Sequence, residues 1–417
     1  MILRMVFLMK FTREAFLKAL GVAEMPELYG KDFDAVMREY DECGVWFLTD
    51  EFLDEIQADF AIFGEKYEFV KSSMARVREN DLLARHSLLL YHMLDGRERG
   101  EILSPEVPVP PSEDERIPYE MSAFFAELAF APKMANFFRD REVSEEILLL
   151  TIRDTFEGSL YTYNKLFKKD GFEAERIFRW NERLIDCTIL HIGLLNFEMR
   201  TKFIESGVVL RNQAGETAIL VHDQPVSPSG IIAGSAGAEE TAFFAEFTET
   251  DEYYEGYPVD AWTARISPEK ACYPKSEWEL FITDTDPVIS VHIPPSKDFT
   301  PENMEAAYSA CLKVFKQSFP EYKPKAFYCH SWLMEPQLRD LMKPTSNILA
   351  FQGKYLRFPR ISDGKAVLTF LFDDPTITNW EDLPENSSLQ RAVKQHYLDG
   401  KFIYEPCGFF FLDAVKQ

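Results

Sequence analysis

The sequence predicts an α+β protein in which an all-helical N-terminal domain, residues 1–205, precedes a mixed α/β domain, residues 206–417. Three observations support this division. Apolar residues recur every three or four positions through most of the N-terminal half, as in amphipathic helices. After Gly207 the pattern changes to the short alternating runs that are typical of strands. Between Pro287 and Arg357 a strand, a long helix and a second strand follow one another, which is the order of a βαβ unit.

The predicted helices of the first domain have recognisable beginnings and ends. Thr12 and Ser144 are predicted N-caps, and Gly21 is a predicted stop. An acidic, proline-rich stretch at residues 105–118 predicts an extended loop. The last helix of this domain is predicted from Arg179 to Glu205, because its apolar residues keep to one stripe at helical spacing.

The second domain is predicted to contain several strands and one further helix around the βαβ unit. Turn residues separate short β-branched or aromatic runs, and a capped amphipathic run precedes the end of the chain. The predicted elements are a hairpin of Val208–Leu210 with Thr217–Val221, a strand at Ser276–Ile282, paired strands at Asn347–Arg357 and Lys365–Phe372, a helix at Ser387–Leu398, and strands at Lys401–Tyr404 and Gly408–Leu412.

The βαβ unit is the most strongly patterned part of the chain. Its first strand is predicted at Val288–Ile293, and Thr300 with Pro301 gives the N-cap and first position of a helix that ends near Phe319. The second strand follows at Ala326–Cys329, and a shorter helix is expected at residues 331–342. Ligands of open α/β sheets bind beyond the carboxyl ends of parallel strands, so we expect the functional site there.

Two histidines occupy that position in the sequence. His292 ends the first strand of the unit and His330 follows the second. Their spacing is not that of a metal site, and no metal is expected. Cys329 and His330 are adjacent on a strand and point to opposite faces, so they do not predict a nucleophile with its base.

The start of the helix after the first strand is a candidate anion site. Backbone NH groups of the loop at residues 296–299, the helix dipole at Thr300 and the charge of Lys297 together suit a pyrophosphate. An ordinary capped loop explains the same pattern. His191 is the histidine of the predicted Arg179–Glu205 helix, where a hydrogen-bonded core or interface histidine is the simpler interpretation.

Composition excludes several classes of function. The formal net charge of −24 argues against nucleic acid and anionic membranes as partners. The six cysteines are scattered without a short pair, which favours a reducing, cytoplasmic location. No apolar run has the length of a membrane span. The first ten residues lack a signal-peptide cleavage site, and translation from Met9 would give an ordinary N-terminal helix.

Three segments carry a resemblance to a known family. The first runs from Asp286-Pro287-Val288 through His330-Ser331-Trp332-Leu333 to Ser346-Asn347, the second is Leu190–Glu198, and the third is Ser388–Val393. They resemble a bacterial family of acyltransferases with a helical N-terminal domain and a GNAT-like C-terminal domain, the acyl-CoA N-acyltransferase fold. The resemblance covers most of residues 140–412.

The resemblance implies a mixed, splayed sheet in which the pantetheine of acetyl-CoA or another acyl-CoA inserts between the two strands of the βαβ unit. It also implies direct attack of an amine on the thioester. The implied general bases are His292 and His330, and a backbone NH near His292 would hold the thioester carbonyl. The implied cofactor-binding residues are Ile293, Ser296, Lys297, Thr300 and Ser331, and the implied pocket residues are Trp332, Glu335, Ser346, Asn347 and His191.

The sequence departs from the broader superfamily at two places. Pro294 and Pro295 replace a glycine-rich loop and remove two amide donors, and residues 333–342 contain no tyrosine to protonate a leaving thiolate. Two functions therefore stay open. One is N-acyl transfer from acyl-CoA to an amine of a small molecule or peptide. The other is a non-catalytic ligand-binding or scaffold protein that retains the fold without coenzyme A chemistry.

Overall fold

The computed structural model describes residues 12–25, 31–103, 105–203, 206–294 and 298–415. The chain forms two compact units, Met1–His191 and Ile192–Gln417. The first contains helices and the second contains sheets with helices between their strands. The predicted α+β class is therefore confirmed. No helix in the described ranges is long and apolar enough to cross a membrane.

The first unit is built from nine helices in its described residues. Thr12, Asp32 and Ser144 cap three of them, each accepting a hydrogen bond from the backbone NH three residues on. Aromatic rings fill the core, and the Phe124 ring meets those of Phe156 and Phe172 edge to face. In order the helices are α1 Arg13–Leu20, α2 Phe33–Cys43, α3 Asp50–Phe60, α4 Tyr67–Glu79, α5 Asp81–Gly96, α6 Arg116–Leu128, α7 Ala131–Asp140, α8 Glu145–Phe167 and α9 Ala174–Ile185.

The predicted helix from Arg179 to Glu205 is wrong beyond its first turns. Helix α9 ends at Ile185, and the chain continues as two strands, β1 Ile189–Ile192 and β2 Leu195–Arg200. Gly193, with φ +65°, makes the turn between them. Strand β1 is buried on both faces, so it lacks the alternation of a half-exposed strand, and its apolar residues happen to continue the helical spacing.

The second unit contains two principal sheets and five helices among its described residues. Its remaining elements, in chain order, are β3 Gly207–Asn212, β4 Thr217–Val221, β5 Gln224–Val226, β6 Phe243–Ala245, β7 Thr248–Glu249, β8 Tyr253–Asp260, β9 Arg265–Ile266, β10 Ala271–Pro274, β11 Trp278–Ile282, β12 Val288–His292, α10 Pro301–Ser318, β13 Ala326–His330, α11 Leu338–Leu341, α12 Asn347–Gln352, β14 Leu356–Phe358, α13 Ala366–Leu371, α14 Ser388–Leu398 and β15 Cys407–Phe411.

The central sheet holds its strands in the order β2-β12-β13-β15-β14. Strands β12 and β13 are parallel, as the βαβ unit predicts, and the other pairs are antiparallel. Helix α10 covers one face, where the Tyr308 ring lies 5.0 Å from that of Phe327. On the other face, Tyr328 and Phe409 form one apolar cluster with Val209 and Ile219 of the second sheet, whose order is β10-β8-β4-β3-β11.

Several predicted elements after β13 are wrong in type. Residues 347–357 form α12 and then β14, and residues 365–372 contain α13, so the predicted strand pair does not exist. Strand β14 pairs with β15 instead, a partner about fifty residues away. Residues 401–404 are not a strand, and the predicted helix at 331–342 is a 3-10 turn followed by α11, with Pro336 between them.

A buried polar cluster connects α6, α8 and α9 in the first unit. The Glu127 carboxyl group is fully buried, and its Oε2 accepts a hydrogen bond from Asn181 Nδ2 at 2.8 Å. Asn181 Oδ1 in turn accepts one from Ser159 Oγ at 3.1 Å. Burial, with a smaller contribution from Glu182, raises the pKa of the Glu127 carboxyl group well above its usual 4.5.

This raised pKa makes the stability of the first unit depend on pH. Above the unfolded pKa the unfolded chain loses a proton that the folded chain keeps, so stability falls as pH rises, by about 1.4 kcal/mol per pH unit until the folded pKa is reached. Glu127→Gln removes the ionisation. We therefore expect the free energy of unfolding of Glu127→Gln, measured by denaturant titration, to rise relative to that of the wild type as pH is raised from 5 to 8.

The exposed glutamate Glu146 on α8 gives the matched control, since Glu146→Gln removes a carboxylate that is already in solvent. An identical pH dependence for the wild type and Glu127→Gln would show that Glu127 ionises normally in the folded protein.

Candidate active site

The two parallel strands of the βαβ unit separate before they end. Only Ile289 with Phe327 and Ser290 with Tyr328 are in register, although each strand continues for two residues. Beyond that point β12 stays paired with β2, and β13 stays paired with β15. The facing edges of β12 and β13 are thus not hydrogen-bonded to each other beyond this point, and we call the region between them the opening. Unpaired strand edges of this kind suit an extended, amide-containing ligand.

The two predicted histidines lie on the same face at this opening. Ser290 is in register with Tyr328, and each histidine is two residues further along its strand. Side chains two residues apart on a strand lie on the same face of the sheet, so His292 and His330 lie on one face, on opposite sides of the opening. The structure therefore brings together the two residues that the sequence singled out.

His292 is hydrogen-bonded to a buried carboxylate. Its Nε2 lies 2.8 Å from Oε2 of Glu198 on the neighbouring strand β2. The Glu198 side chain is 10% exposed and that of His292 is 27% exposed. A carboxylate on one imidazole nitrogen fixes the orientation of the ring and offsets the charge of a proton that the ring takes up.

His330 has a different environment. A guanidinium nitrogen of Arg360 donates to its Nδ1 at 2.9 Å, so that nitrogen carries no proton. The backbone carbonyl of Glu405 accepts a hydrogen bond from the ring. The residue as a whole is exposed to solvent, but the surrounding protein desolvates its ring, and this desolvation, followed by the charge of Arg360, lowers the pKa of His330 to about 4. The ring is therefore neutral at physiological pH and a weak base.

The cofactor residues implied near the start of α10 are only partly described. Ser296 and Lys297 lie outside the described residues. Thr300 caps α10, its Oγ1 accepting from Asn303 N at 3.3 Å. Ile293 is half-buried and packs against the apolar cluster that contains Trp332.

The implied pocket residues after β13 mainly shape the loops there. Ser331 Oγ accepts from Leu333 N at 3.2 Å, and Trp332 is 8% exposed in an apolar cluster with Leu368 and Tyr397. Ser346 caps α12, whose first residue is Asn347, by accepting from Ile348 N. These contacts explain the local conformation without a ligand.

Glu335 is buried, and its carboxylate oxygens accept hydrogen bonds from backbone NH groups. Gln337 N donates to Oε1 and Tyr404 N donates to Oε2, each at 3.2 Å. Burial raises the pKa of this carboxyl group. Glu335 thus ties the loop after β13 to the segment before β15.

His191 belongs to the first unit. Its backbone NH donates to Thr151 Oγ1 at 3.0 Å, and its Nδ1 lies 3.8 Å from Asp154 Oδ1. It is half-buried against α8, as expected for a histidine with a structural role.

Two residues of the site were not selected from the sequence. Glu198 falls within the predicted Arg179–Glu205 helix, because the apolar spacing of that run hides strand β2. Arg360 follows β14, thirty residues after His330, and no local pattern connects the two. Among the described residues no cluster of three or more histidine, cysteine or acidic side chains is placed to hold a metal ion.

The environment of His330 predicts how its ring titrates. We expect the His330 ring to stay neutral from pH 8 to about pH 5, because its pKa is lowered to about 4. Nitrogen chemical shifts of the labelled histidine rings measure this, with the His330→Gln spectrum assigning the signal. A ring that charges between pH 6 and 7 would contradict the arrangement with Arg360.

Comparisons with known proteins identify the fold and the family of this chain. A search of curated proteins gives no significant match. Three solved structures match almost the whole chain: an acyltransferase with decanoyl-CoA and teicoplanin, an acyltransferase with CoA and 10C-teicoplanin, and an acyltransferase mutant with octanoyl-CoA. In that order, their sequence identities to this chain are 16%, 15% and 16%, and their TM-scores are 0.62, 0.61 and 0.62. The matches cover 96%, 96% and 95% of this chain, and 99%, 99% and 98% of those chains. At this identity the likeness shows a shared fold.

The family model described as the GNAT-like C-terminal domain matches residues 189–410. This match begins at β1, ends in β15 and contains the opening between β12 and β13. It spans more than half of the 417 residues. The chain therefore belongs to the family of proteins with a GNAT-like C-terminal domain.

Proposed function

We propose that the protein is an N-acyltransferase that moves an acyl group from acyl-CoA to an amine of a small molecule or peptide by direct attack. The observation that carries the proposal is the separation of β12 and β13 beside the His292–Glu198 pair. It combines an opening for an extended thioester with a base whose charge is balanced by a carboxylate.

The opening suits the pantetheine arm of the cofactor. Pantetheine contains amide groups that can pair with the backbone edges at Val291 and Cys329, as an added strand would. The pyrophosphate would then lie toward the start of α10, an 18-residue helix whose first turn contains Pro301 and whose cap is Thr300. We assign Ile293, Ser296, Lys297 and Ser331 to the cofactor side on the basis of the sequence and the family resemblance alone.

The chemistry assigned to His292 is proton transfer. The imidazole takes a proton from the acceptor ammonium group, and Glu198 stabilises the resulting imidazolium. The amine nitrogen attacks the thioester carbon, and a backbone NH near His292 stabilises the oxyanion. The carbon–sulfur bond then breaks, the nitrogen gives its second proton to the leaving thiolate, and the products are the amide and the coenzyme A thiol. The imidazolium releases the first proton to solvent.

The choice of His292 over His330 follows from their partners. A base with a pKa near 4 takes up few protons at neutral pH, and Nδ1 of His330 is already used as an acceptor for Arg360. We therefore assign His330 a positioning role. The solved relatives support the substrate class, since two of them hold acyl-CoA or CoA together with a glycopeptide acceptor.

Cofactor binding is the first test. We expect calorimetric titration with acetyl-CoA, decanoyl-CoA and coenzyme A to show saturable binding. Lys297→Glu should weaken it about tenfold or more, because it reverses a charge that the sequence assigns to the cofactor side. Lys313→Glu is the control, as Lys313 is exposed further along α10. Absence of binding by all three would favour the alternative of a ligand-binding or scaffold protein without coenzyme A chemistry.

Turnover tests the assignment of the base. We expect His292→Gln to lower the rate of coenzyme A thiol release with an amine acceptor by about 100-fold or more, and Glu198→Gln to lower it less. His330→Gln is the matched control, since its amide can still accept from Arg360 and donate to the Glu405 carbonyl. Equal losses in His292→Gln and His330→Gln would remove the distinction between the two histidines.

A further inference from the structure

The space for an acyl group at the opening is bounded on both faces of the sheet. On the face that α10 covers, the Tyr308 side chain is fully buried. The centre of its ring lies 5.0 Å from that of Phe327 on β13 and 5.9 Å from that of Phe197 on β2, so the ring spans the region where β12 and β13 separate. Its hydroxyl group is 2.7 Å from that of Tyr355. Packed aromatic rings therefore fill this face.

The opposite face, which we call the histidine face because it holds His292 and His330, is closed just before the opening. Ser290 and Tyr328 are the last residues of β12 and β13 that are in register, and each is only 2% exposed. The Tyr328 hydroxyl oxygen lies 3.0 Å from Cys407 Sγ. An acyl group that starts near His292 thus meets packed side chains about 7 Å back along the strand, which is the length of two residues.

Arg200 adds a charged group to the histidine face. It is the last residue of β2, two residues after Glu198, which is paired with Ser290 and therefore shares its face. The guanidinium carbon of Arg200 is 5.5 Å from the centre of the Tyr328 ring. Because β12 lies between β2 and β13, the Arg200 side chain crosses β12 between the levels of Val288 and Ser290. We call Arg200, Ser290 and Tyr328 the floor of the opening.

The side chains beside His292 on the histidine face are polar as well. In the pairing of β2 with β12, Asn196 is opposite His292 and Glu198 is opposite Ser290. A methylene group gains affinity when apolar atoms replace the water around it, whereas amide, carboxylate and guanidinium groups lose favourable hydration beside such a chain. The surroundings of the acyl position therefore oppose a long apolar chain.

We propose that the floor restricts the acyl group to a short one, of about two to four carbons, and that Arg200 is the residue that excludes longer chains. The inference rests on the proposed acyl transfer, since it requires a thioester carbonyl near His292. It distinguishes this chain from the solved relatives that hold octanoyl-CoA or decanoyl-CoA.

The dependence on acyl chain length tests the inference in the unmodified protein. We measure thiol release with acetyl-CoA and with decanoyl-CoA over a screen of amino acids, dipeptides and polyamines, and expect kcat/KM to be about tenfold or more higher for acetyl-CoA. In calorimetry, decanoyl-CoA should bind no more tightly than coenzyme A, whereas an apolar pocket would tighten binding about fourfold per buried methylene group. Tighter binding of decanoyl-CoA overturns the inference, and so does equal or faster turnover with it.

Arg200→Leu tests the residue itself. Leucine is shorter and apolar, so we expect kcat/KM for butyryl-CoA relative to acetyl-CoA, and the affinity for octanoyl-CoA relative to coenzyme A, each to rise about fivefold or more. Arg200→Lys keeps the charge and is the matched control, in which both ratios should stay as in the wild type. Unchanged ratios in Arg200→Leu, or equal changes in the two variants, would remove Arg200 as the determinant. Because each ratio is taken within one protein, a less stable variant still gives a readable result.

Failure of the proposed function gives a different pattern. If coenzyme A, acetyl-CoA and decanoyl-CoA all fail to bind, the proposed function is contradicted and this inference with it. If they bind and the longer chain is preferred, the proposed function stands and only the restriction on acyl length is overturned.

Discussion

Strand β12 is paired with β2 along its whole length but with β13 at only two positions, and the candidate site depends on this difference. A parallel pair that continued to His292 and His330 would close the sheet with its own hydrogen bonds. Instead each strand is held on its outer side, β12 by β2 and β13 by β15. Antiparallel pairing on the two outer sides holds the ends of β12 and β13 in place, while the backbone groups between these ends stay accessible to a ligand.

The two histidines at this opening have neighbours of opposite charge. Each is the last residue of its strand, and both lie on one face of the sheet. His292 meets the carboxylate of Glu198, and His330 meets the guanidinium of Arg360. A guanidinium beside a ring opposes its protonation, and for this reason we propose His292 rather than His330 as the base.

The sequence predicted the elements whose signals are local. Strand β12 is a short β-branched run, α10 begins with Thr300 and Pro301, and the region between them and β13 is long enough for a right-handed crossover. These elements place His292 and His330 at one edge of a sheet, and the structure confirms that placement. The resemblance to an acyltransferase family added the expectation of a splayed sheet.

The other features of the site depend on contacts between residues that are distant in sequence. Glu198 reaches His292 only because β2 pairs with β12, and the run that contains β1 and β2 has apolar spacing that also fits a helix. Arg360 reaches His330 because β14 pairs with β15 rather than with a neighbouring segment. Single-sequence patterns give no information on such pairings, so the partners that distinguish the two histidines could not be predicted.

The most direct test of this account is a crystal structure of the protein with coenzyme A. The account predicts that the pantetheine arm lies between β12 and β13, with its amides hydrogen-bonded to the backbone at Val291 and Cys329 and its sulfur near His292. Coenzyme A bound elsewhere, or β12 and β13 paired to their ends in the complex, would contradict it.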